Sequence, residues 1–146
     1  MGAESNGDRN MRPIEFRCWD RETEEFIYSQ INYDEARFAF DDGKLKGYVI
    51  HGMTSGSLDE PPQPNVKILE DPQEFTGLLD KNGKKIWEGD IVKWISTFHG
   101  AEKDIHVSQI KWDDTNTGFY LYPWCHEIYR AEMEVIGNIH ENSELL

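Results

Sequence analysis

From Pro13 onward, apolar and polar side chains alternate with a period of two wherever the chain is patterned, the spacing of strands with one buried face. "PIEFRCWD", residues 13–20, sets Ile14, Phe16 and Cys18 against Glu15 and Arg17. A polar turn, "DRETEE", leads into "EFIYSQI", 25–31, and the two runs read as a hairpin. "YVIHGM", 48–53, is β-branched and bounded by turns; "KILED", 67–71, is a short apolar run. "EGDIVKWI", 88–95, places Ile91, Lys93 and Ile95 opposite Val92 and Trp94. "KDIHVSQIKWDD", 103–114, sets Ile105, Val107, Gln109 and Lys111 against His106, Ser108, Ile110 and Trp112. An aromatic strand follows at 119–124, and Met133, Val135, Ile136 and Ile139 close the series. Residues 33–45 support two readings: a short helical turn capped by Asp34, or a strand through Ala36, Phe38 and Phe40.

The punctuation between these runs is turn chemistry. Asp42-Gly43 marks a turn, and Asn82-Gly83 predicts a two-residue hairpin connection. Gly89 marks a bend, and Asn116 to Gly118 another turn. Pro61, Pro62 and Pro64 remove backbone donors, so 54–66 reads as a connecting loop. About six to nine short strands, with turns at short intervals and little helical periodicity, predict a mainly β fold. The expected form is a small antiparallel barrel-like or sandwich domain with at most one or two short helices. Residues 1–10 read as a disordered leader and 11–146 as a single domain, with Met11 a candidate initiator.

Composition narrows the picture. The chain of 146 residues suits one domain, and its five Trp, six Tyr and seven Phe predict a core built from rings more than from Leu. The net charge of −13, from 28 acidic and 15 basic residues, repels phosphate backbones and anionic membranes. Cys18 and Cys125 show no metal-ligand or disulfide spacing and read as reduced thiols of a cytoplasmic protein. Residues 1–15 lack the apolar core of a secretory signal, and no run approaches the roughly 18–20 apolar residues of a membrane helix.

Three segments carry a family likeness: "MRPIEFRCWDRETEEFI" at 11–27, "FTGLLDKNGKKIWEGDIVKW" at 75–94, and "VIGNIHENSELL" at 135–146. In them the chain resembles the YopX proteins, small proteins encoded by phages and prophages of bacteria. The central segment is the most specific, joining Thr-Gly-Leu, Asp-Lys-Asn-Gly and Glu-Gly-Asp in fixed order. The resemblance implies a mostly β, barrel-like fold and work in the cytoplasm of a bacterial host. It brings no catalytic residue with it.

Three carboxylates, Asp80, Glu88 and Asp90, lie within eleven residues, and a turn at Asn82-Gly83 would draw them together. Such groups serve acid–base chemistry or bind a divalent ion. Turn chemistry offers a structural alternative, in which Asp80 and Asp90 accept backbone N–H bonds while Gly77, Gly83 and Gly89 allow bends. His51, His99, His106, His126 and His140 show no helical metal spacing, and Cys125-His126 point to opposite faces of a strand. The run Thr54-Ser55-Gly56-Ser57 lacks a nucleophile-elbow pattern. In the aromatic strand, Phe119 and Leu121 are expected to face inward. Tyr120, Tyr122 and Trp124 form the candidate interaction face.

These features lead to the expectation of a non-enzymatic protein that binds a host or phage protein, or copies of itself, without cofactor or metal. The alternatives are a nucleic-acid accessory module using its aromatic face, and a carboxylate- or metal-dependent hydrolase built on Asp80, Glu88, Asp90 and a distant His.

Overall fold

The computed structural model describes residues 13–31, 33–96, 104–124, 126–127 and 132–146. The expected leader, 1–10, lies outside them. The described residues are mainly β, in antiparallel sheets, as the alternation predicts. The sequence reads as one domain over 11–146; the chain gathers into two compact units, one spanning Glu15–Glu74 and the other containing Phe75–Leu146.

In the first unit, β1 (Phe16–Asp20) and β2 (Glu25–Tyr28) form the predicted hairpin, with Cys18 opposite Ile27 and Trp19 opposite Phe26. The strands β3 (Ala36–Asp41), β4 (Lys44–Met53) and β5 (Pro64–Leu69) make a three-stranded sheet with β4 in the middle. The ambiguity at 33–45 resolves to strand because Asp42 and Gly43 both take positive φ, +49° and +73°. That geometry returns the chain directly, so Ala36–Asp41 pairs residue by residue with β4. The expected loop at 54–66 is shorter than its prolines suggest. Pro64 begins β5, an edge strand, where a missing N–H is tolerated. Within the loop, Gln63 N donates to Thr54 Oγ1 (2.9 Å) and Glu60 N to Ser57 Oγ (3.1 Å), so two hydroxyls of the 54–57 run hold turns.

The strand β6 (Gln73–Leu79) starts beside β1 and carries the chain into the second unit. There β7 (Lys85–Trp87) pairs with it, and β8 (Asp90–Ser96), β9 (Asp104–Asp113), β10 (Gly118–Tyr122), β11 (His126–Glu127) and β12 (Met133–Asn138) form a curled half-barrel sheet. Its order is β11-β10-β9-β8-β12, antiparallel throughout. The core of this unit joins Ile86, Val92, Trp94, Ile110, Leu121 and Met133, with Leu78, Phe119 and Val135 packed against it. Phe75 and Trp87 are buried in this unit as well, their ring centroids 5.5 Å apart, so with Trp94 three rings stand among its buried residues against one leucine, Leu121. Other aromatic side chains, in β9 and β10, fall on positions that the sheet leaves partly exposed.

A short 3-10 turn, Ser143–Leu145, ends the chain. Before it, Asn138 Oδ1 accepts the amides of His140 and Glu141, both at 3.0 Å, and Asn142 Oδ1 accepts the Asn138 amide at 3.2 Å. A Cβ on Gly137 would stand 2.5 Å from Asn142 Oδ1, so this packing excludes a side chain there. Among the described residues no helix is long and apolar enough to cross a membrane.

Candidate functional site

The β6–β7 connection is longer than the two-residue hairpin that Asn82-Gly83 predicts. Asp80 N donates to Lys84 O (2.7 Å) and Gly83 N to Asp80 O (3.0 Å), leaving a three-residue loop with Gly83 at φ +81°. The Asp80 carboxylate organises it. Oδ1 accepts Asn82 N (2.8 Å) and Lys84 N (2.9 Å), and Oδ2 reaches β12 to accept Val135 N at 3.0 Å. Burial pushes the Asp80 carboxyl up, but the amides of Val135, Lys84 and Asn82 outweigh it, and the net shift is below the ordinary carboxylate range.

Asp90 is buried and accepts Trp87 N at 2.8 Å, closing the tight turn through Glu88 and Gly89. Burial raises the Glu88 carboxyl. Two of the three carboxylates thus spend oxygens on backbone amides, the structural alternative drawn from turn chemistry. Among the described residues, no group of three or more His, Cys, Asp or Glu side chains gathers to hold a metal.

The three aromatic candidates do not stay together. On an antiparallel sheet, directly paired residues share a face. Tyr120 pairs with Lys111 and Tyr122 with Gln109, so both tyrosines lie on the outer face with Lys111, Val107 and Ile105. The Lys111 ammonium stands 3.8 Å over the Tyr122 ring, and the two tyrosine rings meet edge-on at 6.3 Å. On the neighbouring strand Lys93 shares that face. Its ammonium lies 3.4 Å from Glu134, which Lys81 also approaches at 3.1 Å. Exposure there is high for apolar groups: Ile105 66%, Tyr122 44%, Val107 37%.

Trp124 goes elsewhere. It lies beyond the end of β10, and its ring packs at a tilt of 57° with its centroid 4.7 Å from that of His106, whose partner across the sheet is the core residue Trp94. His106 is held between two indoles, with Trp94 at 4.6 Å, and its Nε2 shares a 3.0 Å hydrogen bond with Ser96 Oγ. This cluster escapes a reading of the sequence because it joins β8, β9 and the segment after β10. Ile105, Val107 and Lys111 were within reach, since they alternate in phase and only the β9–β10 register was lacking. His51 and His140 are exposed; His99, Cys125 and the side chain of His126 lie outside the described residues.

In the first unit an open cleft of about 450 Å³ is lined by Trp19, Arg21, Lys67 and Asp71 among others. At its floor Lys67 Nζ bonds to the buried Asp20 carboxylate (2.8 Å) and to Glu22 (2.7 Å), so its charge is already neutralised. Cys18 is buried behind this sheet, its Sγ 3.8 Å from Leu69 O.

The sequence profile of the YopX family, described as YopX protein, matches residues 15–146. No curated protein matches the chain. Among solved structures, the crystal structure of protein EF1440 from Enterococcus faecalis is similar, with a TM-score of 0.55 and 24% sequence identity over 93% of this chain and 99% of that one. The latter likeness is one of fold.

Proposed function

Since the chain belongs to the YopX family, we propose that it is a phage- or prophage-derived binding protein of the bacterial cytoplasm, engaging a partner protein rather than transforming a substrate. The observation that carries this reading is the outer face of the half-barrel sheet. On its inner side Val92, Trp94, Ile110 and Leu121 are buried in the core, while Ile105, Val107 and Tyr122 of the outer side stand open on neighbouring strands with Tyr120 beside them. An exposed face that sets apolar side chains and tyrosines among lysines has the make-up of a protein interface. The carboxylates Asp80 and Asp90 support the non-catalytic half of the reading, because their oxygens accept backbone amides.

A photo-crosslinking side chain at Val107 tests this in cells. It is expected to trap a protein partner where the same group at Lys84 traps none, and Tyr122→Ser is expected to reduce the yield. Equal trapping from both positions, or none from Val107, overturns the reading.

A second reading has one observation in its favour: Lys93 and Lys111 share this face with two tyrosines, a basic and aromatic surface on an acidic chain. Filter binding of single-stranded DNA and RNA at low salt separates the two. Binding that Lys111→Ala weakens and added salt abolishes would favour the nucleic-acid reading.

A further inference from the structure

The three sheets of the described residues have six edge strands, and five of them are short or obstructed. β2, β7 and β11 offer four, three and two residues. β5 begins on Pro64, and its register against β4 shifts between Ile50 and Met53. β12 has a donor occupied by Asp80. These are ordinary ways of keeping an edge from pairing with another chain. The strand β3 uses none of them. Its six residues pair with β4 without a register shift, include neither Pro nor Lys, and carry Phe40, whose side chain is 75% exposed.

Two features fix which way the main-chain groups of β3 point. Ile50 N donates to Glu35 O at 2.7 Å, and the two-residue turn Asp42-Gly43 closes on the pair Asp41 and Lys44. Both put the odd-numbered residues of β3 into the hydrogen-bonded pairs with β4. Ala36, Phe38 and Phe40 therefore turn their N–H and C=O groups away from β4, and among the described residues no strand receives them. The shape that matches such a row of donors and acceptors is another extended strand.

We infer that β3 pairs antiparallel with β3 of a second copy of this chain across a two-fold axis, making one six-stranded sheet. The residues of the strand select that occupant. Only registers that set even-numbered residues opposite even-numbered ones join the outward groups. One of these places Phe38 opposite the second copy's Phe40 and Arg37 opposite its Asp41, each twice by symmetry, with Ala39 opposite itself on the axis. The aromatic pairs cover the exposed Phe40 ring, and the Arg–Asp pairs join opposite charges on the other face. Ala39 is small enough for a non-hydrogen-bonded pair, whose Cα atoms approach to about 4.5 Å. Lys46 bonds to Asp41 Oδ2 at 3.0 Å, which leaves Oδ1 to the arginine. Sliding by two residues one way sets Glu35 against Asp41; sliding the other way sets Phe38 against Asp42. The strand thus complements its own copy in one register.

The pairing is short, with about four main-chain hydrogen bonds from the two Phe38–Phe40 pairs. The net charge of −13 on each copy opposes it. The association is accordingly weak and concentration-dependent. It uses residues other than those of the Tyr120 and Tyr122 face and does not depend on the function proposed for that face.

Sedimentation velocity over a micromolar concentration series tests it, in about 0.15 M salt, where exposed charges are screened beyond about 8 Å. The expected result is a shift from monomer toward dimer as concentration rises. Phe40→Lys should abolish the shift and leave the urea midpoint unchanged, because the side chain is exposed. Arg37→Asp, which sets an aspartate against Asp41, should weaken dimerisation by about tenfold or more. Arg37→Asp combined with Asp41→Arg should restore it, since the exchanged pair meets in the same register. Tyr122→Ser should leave it untouched. A monomer at every concentration overturns the inference. So does a dimer that survives Phe40→Lys or Arg37→Asp, that the double exchange fails to recover, or that is lost with Tyr122→Ser.

Discussion

The Asp80 carboxylate accepts the backbone amide of Val135 at 3.0 Å, across 55 positions of sequence. Lys81 N adds a second tie, donating to Met133 O at 3.0 Å. The β6–β7 loop therefore caps the outer edge of β12, which among the described residues is otherwise paired with β8 alone. An open edge strand is a site for unwanted pairing, and here a side-chain oxygen occupies one of its donors.

Asp80→Ala should be among the most destabilising single changes in this unit. It strips the acceptor from three amides, Asn82, Lys84 and Val135, while the carboxyl itself is buried. The expected loss is about 2–4 kcal/mol, read as a lower urea midpoint. Asp80→Asn keeps one acceptor oxygen and should lose less.

Stability should fall in acid through Asp80 and Asp20. Burial pushes the Asp20 carboxyl up, but the bond from Lys67 and the amide of Glu22 more than reverse it, so both groups titrate below their ordinary range. A depressed carboxyl contributes stability that is present above its unfolded pKa of about 3.9 and is lost as pH falls through the folded value. Urea midpoints should therefore be flat near neutrality and drop below about pH 4. Asp80→Asn should start lower and show a shallower acid limb; an unchanged limb counts against this assignment.

Lys67→Met should cost about 2 kcal/mol, because it leaves the buried Asp20 carboxylate without its cation. The Lys67 ammonium is itself raised by its bonds to Asp20 and Glu22. Its contribution is complete below its unfolded pKa of about 10.4 and disappears as pH rises through the folded value. Chemical denaturation should thus separate wild type from variant at neutral pH, and the two should converge at strongly alkaline pH.

Gly137→Ala forces a methyl group against Asn142, with atoms 2.5 to 2.7 Å away, and should destabilise by about 1–3 kcal/mol. Asn142→Gly removes all three of those atoms, Oδ1, Cβ and Cγ, together with the acceptor of the Asn138 amide. In a double-mutant cycle the second change should recover part of the loss, and strict additivity would show that the clash is not its cause.

Cys18 should resist thiol reagents in the folded protein. Burial raises its pKa to about 11, with the Gly47 backbone lowering it and Asp71 raising it in smaller measure. At pH 8 about one thiol in a thousand is ionised, and its sulfur is shielded. In a Cys125→Ser background, release of dye from a chromogenic disulfide should await denaturant; prompt reaction under native conditions contradicts the burial.

Local residues foretold local structure. Period-two alternation located β1, β2, β8, β9 and β10, and Asp42-Gly43 set the β3–β4 turn, because a two-residue connection needs only the conformations of the residues in it. The same logic failed at Asn82-Gly83, where Asp80 and Lys84 pair across a longer loop. It succeeded partly for the aromatic strand: Leu121 faces in and Tyr122 out, but Trp124 follows the end of β10 and packs against His106. Strand alternation ceases to govern where the strand stops.

The chain's own order of residues determined that it would be β, where its hairpins turn, and that a family segment joins two of them at 75–94. Those properties depend on backbone preference and neighbouring side chains. What Asp80 does for Val135, which aromatic rings share a face, and which surfaces remain open were decided by tertiary structure. Each depends on which strands lie side by side, and strand order is set by packing among residues tens of positions apart.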